Sequence, residues 1–201
     1  MTILDQALRR AVADLRAENA RFALVGGLAV SAWAEPRLTR DADLAVSVAG
    51  DSEAEELVRC LHARGYRVGA LVEHERLGRL ATARLLDGSG SGLYVDLLFA
   101  SSGVEPELVE HAVEVELVSD LVAPVASVGY LMALKLLSRD DRRRPNDADD
   151  LASLSVVATE VDWGDASVAV QLIEQRGYHR DRDLQAALGK LRRHGAYGPE
   201  E

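Results

Sequence analysis

Residues 22–46 read Phe22-Ala-Leu-Val-Gly26-Gly27-Leu-Ala-Val-Ser-Ala-Trp33-Ala-Glu-Pro36-Arg37-Leu-Thr39-Arg40-Asp41-Ala-Asp43-Leu-Ala-Val46. A short apolar strand runs into a Gly-Gly turn that opens a helix, and Glu35-Pro36 breaks that helix. Asp41 and Asp43 then stand inside a second apolar run, fourteen residues beyond Gly27. Acids at i and i+2 of a strand point to one face and can grip one site. An ionised aspartate among Leu44, Ala45 and Val46 is costly unless it binds something.

Working outward, residues 3–18 carry an apolar stripe of Leu4, Leu8, Ala11, Val12 and Leu15 behind Thr2, a candidate N-cap. Asp51 is expected to cap a helix ended by Gly65. Strands are expected near 66–72, 80–86 and 93–99, the last two joined by the Asp-Gly-Ser-Gly-Ser-Gly connection at 87–92. Residues 105–118 form one further helix or strand. Four helices are expected after Ser127, at 127–139, 146–157, 165–176 and 181–193. The predicted fold class is α+β: a mixed sheet with flanking helices, then a C-terminal helical subdomain. This order places a sheet domain over 1–124 and a helical subdomain over 125–201.

Asp96 interrupts Leu93-Tyr-Val-Asp96-Leu-Leu-Phe99, sharing a face with Tyr94 and Leu98. It is either a lone acid on a half-exposed face or a third carboxylate beside Asp41 and Asp43. Three carboxylates suit one or two Mg²⁺ ions, which prefer hard oxygen ligands. Gly26 and Gly27 either only allow a tight turn after the strand or bring backbone N–H groups close to a triphosphate at a helix N-terminus. Arg37 and Thr39 are candidate phosphate contacts that would equally well balance the neighbouring acids. Lys135 lies in the most apolar helical run, Leu131-Met-Ala-Leu-Lys135-Leu-Leu137. Either its stem snorkels to solvent, or its ammonium enters the cleft and meets nucleotide phosphates or a catalytic acid.

The Val-Gly-Gly-x-Ala opening and the Pro-Arg-x-Thr-Arg-Asp-x-Asp-Leu run resemble the nucleotidyltransferase superfamily with the polymerase-β-like fold. Within it they look most like AbiEii/AbiGii-type nucleotidyltransferase toxins. The resemblance implies an Mg²⁺-dependent enzyme that moves an NMP from an NTP to an acceptor and releases pyrophosphate. Asp41, Asp43 and Asp96 would be the metal ligands, and with Lys135 the catalytic set. Gly26, Gly27, Arg37, Thr39 and Asp147 would serve the nucleotide. Similar proteins carry a helical lysine, an Arg-rich turn and Lys-Asp-x-x-Asp-Leu. Here that segment is Asn146-Asp147-Ala-Asp149-Asp150-Leu151, with Asn146 in the lysine's place and Asp150 a weaker candidate than Asp147. Many superfamily members follow the first glycine with serine, whereas this chain has Gly27 and then Leu28.

The 201 residues carry a formal charge of −10, which disfavours a general nucleic-acid binder, although Arg142, Arg143 and Arg144 form a local basic cluster. The acceptor therefore stays open between RNA, at a tRNA 3′ end with a cognate antitoxin protein restraining the toxin, and a small hydroxylated antibiotic of the lincosamide kind. A lapsed fold acting as a binding partner or antitoxin is the third reading, against which the intact acidic trio argues. A lone Cys60 and the absence of a roughly 20-residue apolar run point to a cytoplasmic protein without a membrane span. The five histidines have no metal-ligand spacing.

Overall fold

The computed structural model describes residues 2–36, 39, 41–88, 92–140 and 146–194. Helix α1 (Ile3–Ala17) starts at a capping box: Thr2 Oγ1 accepts from the Asp5 N–H at 3.1 Å, and the Thr2 N–H donates to Asp5 Oδ2 at 2.7 Å. Its buried stripe includes Leu8, Ala11, Val12 and Leu15 and lies against the sheet. Strand β1 (Arg21–Val25) leads directly into α2 (Gly26–Trp33), and β2 (Asp41–Ser47) returns antiparallel to β1. Helix α3 (Asp51–Ala63) follows, then β3 (Arg67–Glu73), β4 (Leu80–Leu86) and β5 (Tyr94–Leu98). The order continues with α4 (Glu105–Glu110), β6 (Val113–Val118) and β7 (Leu121–Val125). The last elements are α5 (Val128–Ser138), α6 (Asn146–Val157), α7 (Glu160–Gln175) and α8 (Leu184–His194).

The seven strands form one mixed sheet in the order β3-β4-β5-β2-β1-β7-β6. Pairing is antiparallel except for β2 with β5 and β1 with β7. The parallel β2–β5 pair sits at the centre, where strands covered on both faces carry near-continuous buried runs, Leu44 to Val46 in β2 and Val95 to Leu97 in β5. Leu44, Leu97 and Ala83 align across β2, β5 and β4 and are fully buried. Helix α5 is buried along nearly its whole length and packs against α6, α7, α8 and α2. Gly129 permits the close approach to α7, because a Cβ there would lie 2.4 Å from the Asp162 carbonyl oxygen. One continuous apolar core runs through the sheet and these helices, and the Trp33 Nε1–H bond to the Ala126 carbonyl at 2.8 Å ties α2 to the sheet's exit.

The structure corrects several sequence expectations. Residues 105–118 are two elements, since His111 and Ala112 separate α4 from β6. Strand β7 falls where the sequence places a boundary, around Pro124, a residue with no N–H to give a ladder. Its bond to β1 is a single parallel bridge, Leu24 with Val125. Helix α7 begins five residues earlier than read, at Glu160 rather than 165, because Thr159 and Asp162 form a second capping box. At α3 the cap position is Gly50, not Asp51; the Ala49 N–H instead donates to Glu53 Oε2 at 2.7 Å. Strand β3 is an edge strand exposed throughout. Among the described residues no helix is long and apolar enough to cross a membrane.

Candidate active site

Sheet register builds the site. Val25 of β1 aligns with Asp43 of β2, Asp43 with Asp96 of β5, Asp96 with Arg84 of β4, and Arg84 with Ala70 of β3. Asp41 stands two residues before Asp43 on the same face. All six of these residues line one cavity of about 690 Å³. Its other wall comes from α5 and α6, including Lys135, Ser138 and Asp147.

Gly26 sits at the turn from β1 into α2 with φ of +66°, a left-handed conformation that L side chains avoid. A Cβ at this position would lie 2.0 Å from Asp43 Oδ2 and 2.9 Å from the Asp43 Cβ. The carboxylate therefore packs directly over the glycine backbone. Val25 is the N-cap of α2 and offers no side-chain acceptor, and the first turn carries no acid. The helix thus presents a positive end at the cavity wall formed by Val25, Gly26 and Gly27, suited to anionic oxygens.

Asp96 does not project freely into the cavity. Arg84 grips it with both arms of its fork: Nε lies 2.9 Å from Oδ1 and Nη2 lies 2.6 Å from Oδ2. The hydrogen bonds to Asp96, reinforced by the charges of Asp96, Asp41 and Asp43, hold the guanidinium's pKa well above its ordinary value despite partial burial. The same guanidinium lies 5.3 Å from the centre of the Tyr94 ring. Sequence reading missed Arg84, although a signal existed. Positions 84 and 96 lie six residues either side of position 90 in the Gly/Ser connection, which makes them cross-strand partners in a symmetric hairpin.

Lys135 neither snorkels nor stands alone. Its Nζ lies 2.8 Å from Asp147 Oδ1 and 2.7 Å from Asp150 Oδ2, and all three residues are at least nine-tenths buried. Ser138 Oγ donates to the other oxygen of Asp147 at 2.9 Å. Asp147 is therefore brought to the cavity already engaged through both oxygens, and Asp150 joins the ion cluster from one turn further along α6. Thr39 lines the cavity and its hydroxyl donates to the Asp41 carbonyl at 3.4 Å. Arg37, a candidate nucleotide contact, lies outside the described residues, as do Arg40 and the Arg142–Arg144 cluster.

The floor near Ser101 and Ser102 was also unforeseen. Both line the cavity, and both are fixed by the buried Glu105. Its carboxylate accepts the N–H groups of Ser101, Ser102 and Gly103 at 2.8, 2.7 and 2.9 Å, and the two serine hydroxyls at 3.1 and 2.9 Å. Five donors explain why an acid can be buried here.

The donors fit a hard divalent cation in type and in strand register, since Asp41, Asp43 and Asp96 offer carboxylate oxygens from one face of two adjacent strands. Among the described residues, however, no three acidic, histidine or cysteine side chains converge closely enough to hold an ion. Asp96 is the member of the trio that Arg84 already engages through both oxygens.

A family model described as the AbiEii nucleotidyl transferase toxin of type IV toxin–antitoxin systems matches residues 6–196. No curated protein matches the sequence. Among solved structures, the chain is similar to an antigenic nucleotidyltransferase-like protein from Paracoccidioides brasiliensis, with 18% identity, a TM-score of 0.52 and coverage of 89% of this chain and 88% of that one. It is also similar to the antibiotic-resistance factor ANT(2″)-Ia, with 17% identity, a TM-score of 0.55 and coverage of 94% and 96%. At these identities the likeness establishes a nucleotidyltransferase fold.

Proposed function

This chain belongs to the AbiEii nucleotidyl transferase toxin family, and from that premise we propose an Mg²⁺-dependent enzyme that moves an NMP from an NTP to RNA. The acceptor in this reading is a tRNA 3′ end, pyrophosphate is released, and a cognate antitoxin restrains the enzyme in the cytoplasm. The observation that carries the reaction type is the register row Asp43–Asp96 beside Gly26. It sets two carboxylates and a positive helix end against one cavity. Residues 125–201 act in this reading as a helical subdomain that closes the far wall of the cleft.

In this reading Asp41 and Asp43 hold Mg²⁺, and Asp96 completes the ligand set and assists removal of the acceptor hydroxyl's proton. The ion, when bound, supplies charge neutralisation at the phosphoryl oxygens. Gly26 and Gly27 present N–H groups to the triphosphate, and Thr39 and Arg37 border it. Lys135 ties Asp147 and Asp150 together at the cleft wall, its charge answered by both carboxylates. Such chemistry is mostly positioning and electrostatics, and rigid central strands suit it.

Incubation with labelled NTPs, Mg²⁺ and total RNA tests the reading. Label should pass to RNA with the native protein and not with Asp43→Asn. The acidity of the chain, −10, favours one second reading, a small cationic hydroxylated acceptor such as an aminoglycoside or lincosamide. Label transferred to such a molecule and never to RNA would select it.

A further inference from the structure

The pair Arg84–Asp96 has two explanations. A buried carboxylate needs a partner, and Arg84 meets that need. Both residues of this pair also line the cavity, so the partner that satisfies Asp96 stands where a ligand can reach it. The two differ in exposure: the Asp96 side chain is 9% exposed and that of Arg84 45%. Asp96 is fixed, and the Arg84 side chain remains nearly half open to the cavity side. Arg84 also follows Asp43 and Asp96 along the register row, so its charge answers Asp41 and Asp43 as well as Asp96.

We propose that Arg84 is a resident counter-cation that holds Asp96 out of the metal set until nucleotide arrives, coupling metal binding to nucleotide binding. This rests on the nucleotidyl-transfer reading above. In the empty site the guanidinium satisfies Asp96 and neutralises part of the acidic row. An incoming triphosphate offers oxygens that a planar fork binds equally well. Arg84 exchanges one anionic partner for another, still steadied by the Tyr94 ring, and Asp96 is released to the cation. No covalent step is involved. The consequence is that the protein binds metal weakly alone, and that its carboxylates assemble only around a loaded nucleotide.

Two binding titrations on the full-length protein test this without turnover. In the first, free Mn²⁺ is followed by its EPR signal without nucleotide. Arg84→Gln should bind Mn²⁺ about tenfold more tightly than the native protein, the scale of a charge-assisted pair on a half-exposed residue. Arg84→Lys, which keeps the charge and loses the fork, should fall between them and guards against a misfolded glutamine variant. The gain should vanish when Asp96→Asn is added. Equal affinity in all Arg84 variants overturns the proposal. So does a gain that persists with Asp96→Asn, which would make Arg84 merely a nearby charge. In the second titration, NTP is bound in EDTA. Arg84→Gln should weaken binding and Asp96→Asn, which frees the guanidinium, should strengthen it; no change in either overturns the exchange. Loss of Mn²⁺ binding in Asp43→Asn with no effect of Arg84 defeats this proposal alone. Indifference of Mn²⁺ to Asp43 defeats the underlying metal reading.

Discussion

Replacing Lys135 with methionine conserves stem volume and deletes one charge, a mild change for a lysine that reaches solvent. The structure predicts the opposite. Its ammonium lies 2.7 and 2.8 Å from two carboxylates whose side chains are 2% and 5% exposed. Removing one partner of a buried ion pair costs about 3–5 kcal/mol, because the remaining charge has neither water nor counter-ion. Here two acids lose the ammonium at once, and Asp147 keeps the Ser138 hydroxyl bond. Against a total stability of about 5–15 kcal/mol this is a large share. For a chain of this size it corresponds to a fall in Tm of roughly 6–20 °C. Thermal melting followed by circular dichroism, with urea midpoints as a check, measures it. Adding Asp147→Asn and Asp150→Asn should restore more than half of the loss, since a neutral trio leaves no buried charge. A Lys135→Met protein melting within about 2 °C of the native one would refute the argument that this cluster staples α5 to α6.

Gly26→Ala should cost about 1–2 kcal/mol for the left-handed backbone alone. It should also lower turnover by about a hundredfold, because the new Cβ displaces the Asp43 carboxylate and a shift near 1 Å is expensive; native turnover with a lowered Tm would disprove the second half. Asp43→Asn should keep the fold and lose at least about two powers of ten in transfer with Mg²⁺, read in the labelled-NTP assay. At high pH, burial, with the acids Asp165, Glu107 and Glu110 nearby, pushes the Tyr130 hydroxyl up to about 12, and burial raises Tyr66 in the same direction. The unfolded phenol loses its proton near pH 10 and the folded one later, so the contribution is intact below pH 10 and falls as pH rises through 12. Urea midpoints at pH 9 and above 11 should converge partly in Tyr130→Phe, and an unchanged fall would contradict the assignment.

What could be read in the sequence was what local pattern controls. The Gly-Gly turn, the i, i+2 acids and the alternation around Asp96 each declare themselves within a few residues. The helices at 3–17 and 146–157 follow from their apolar period. What escaped depends on partners distant in sequence. Pro124 argues against a strand, and only the neighbour β6 and the bridge to Leu24 make it one. Arg84 reads as an ordinary outward residue until the hairpin register sets it opposite Asp96. Lys135 presents a choice between solvent and cleft, and α6 resolves it by delivering Asp147 and Asp150 to its tip. Glu105 resembles a helix-start acid, and its five donors depend on the preceding loop doubling back.

The sheet order carries a consequence for change. The carboxylates ride on β2 and β5, held from both sides, so almost any insertion or recoil there disturbs the chemistry. The opposite holds for β3, which has one neighbour, is exposed along its length, and still contributes Ala70 and Val72 to the cavity. An acceptor of new shape can be accommodated by rewriting that margin while the carboxylate row stays untouched. Libraries aimed at retargeting the enzyme belong on residues 67–73, where variation is cheap in stability and close to whatever the site modifies.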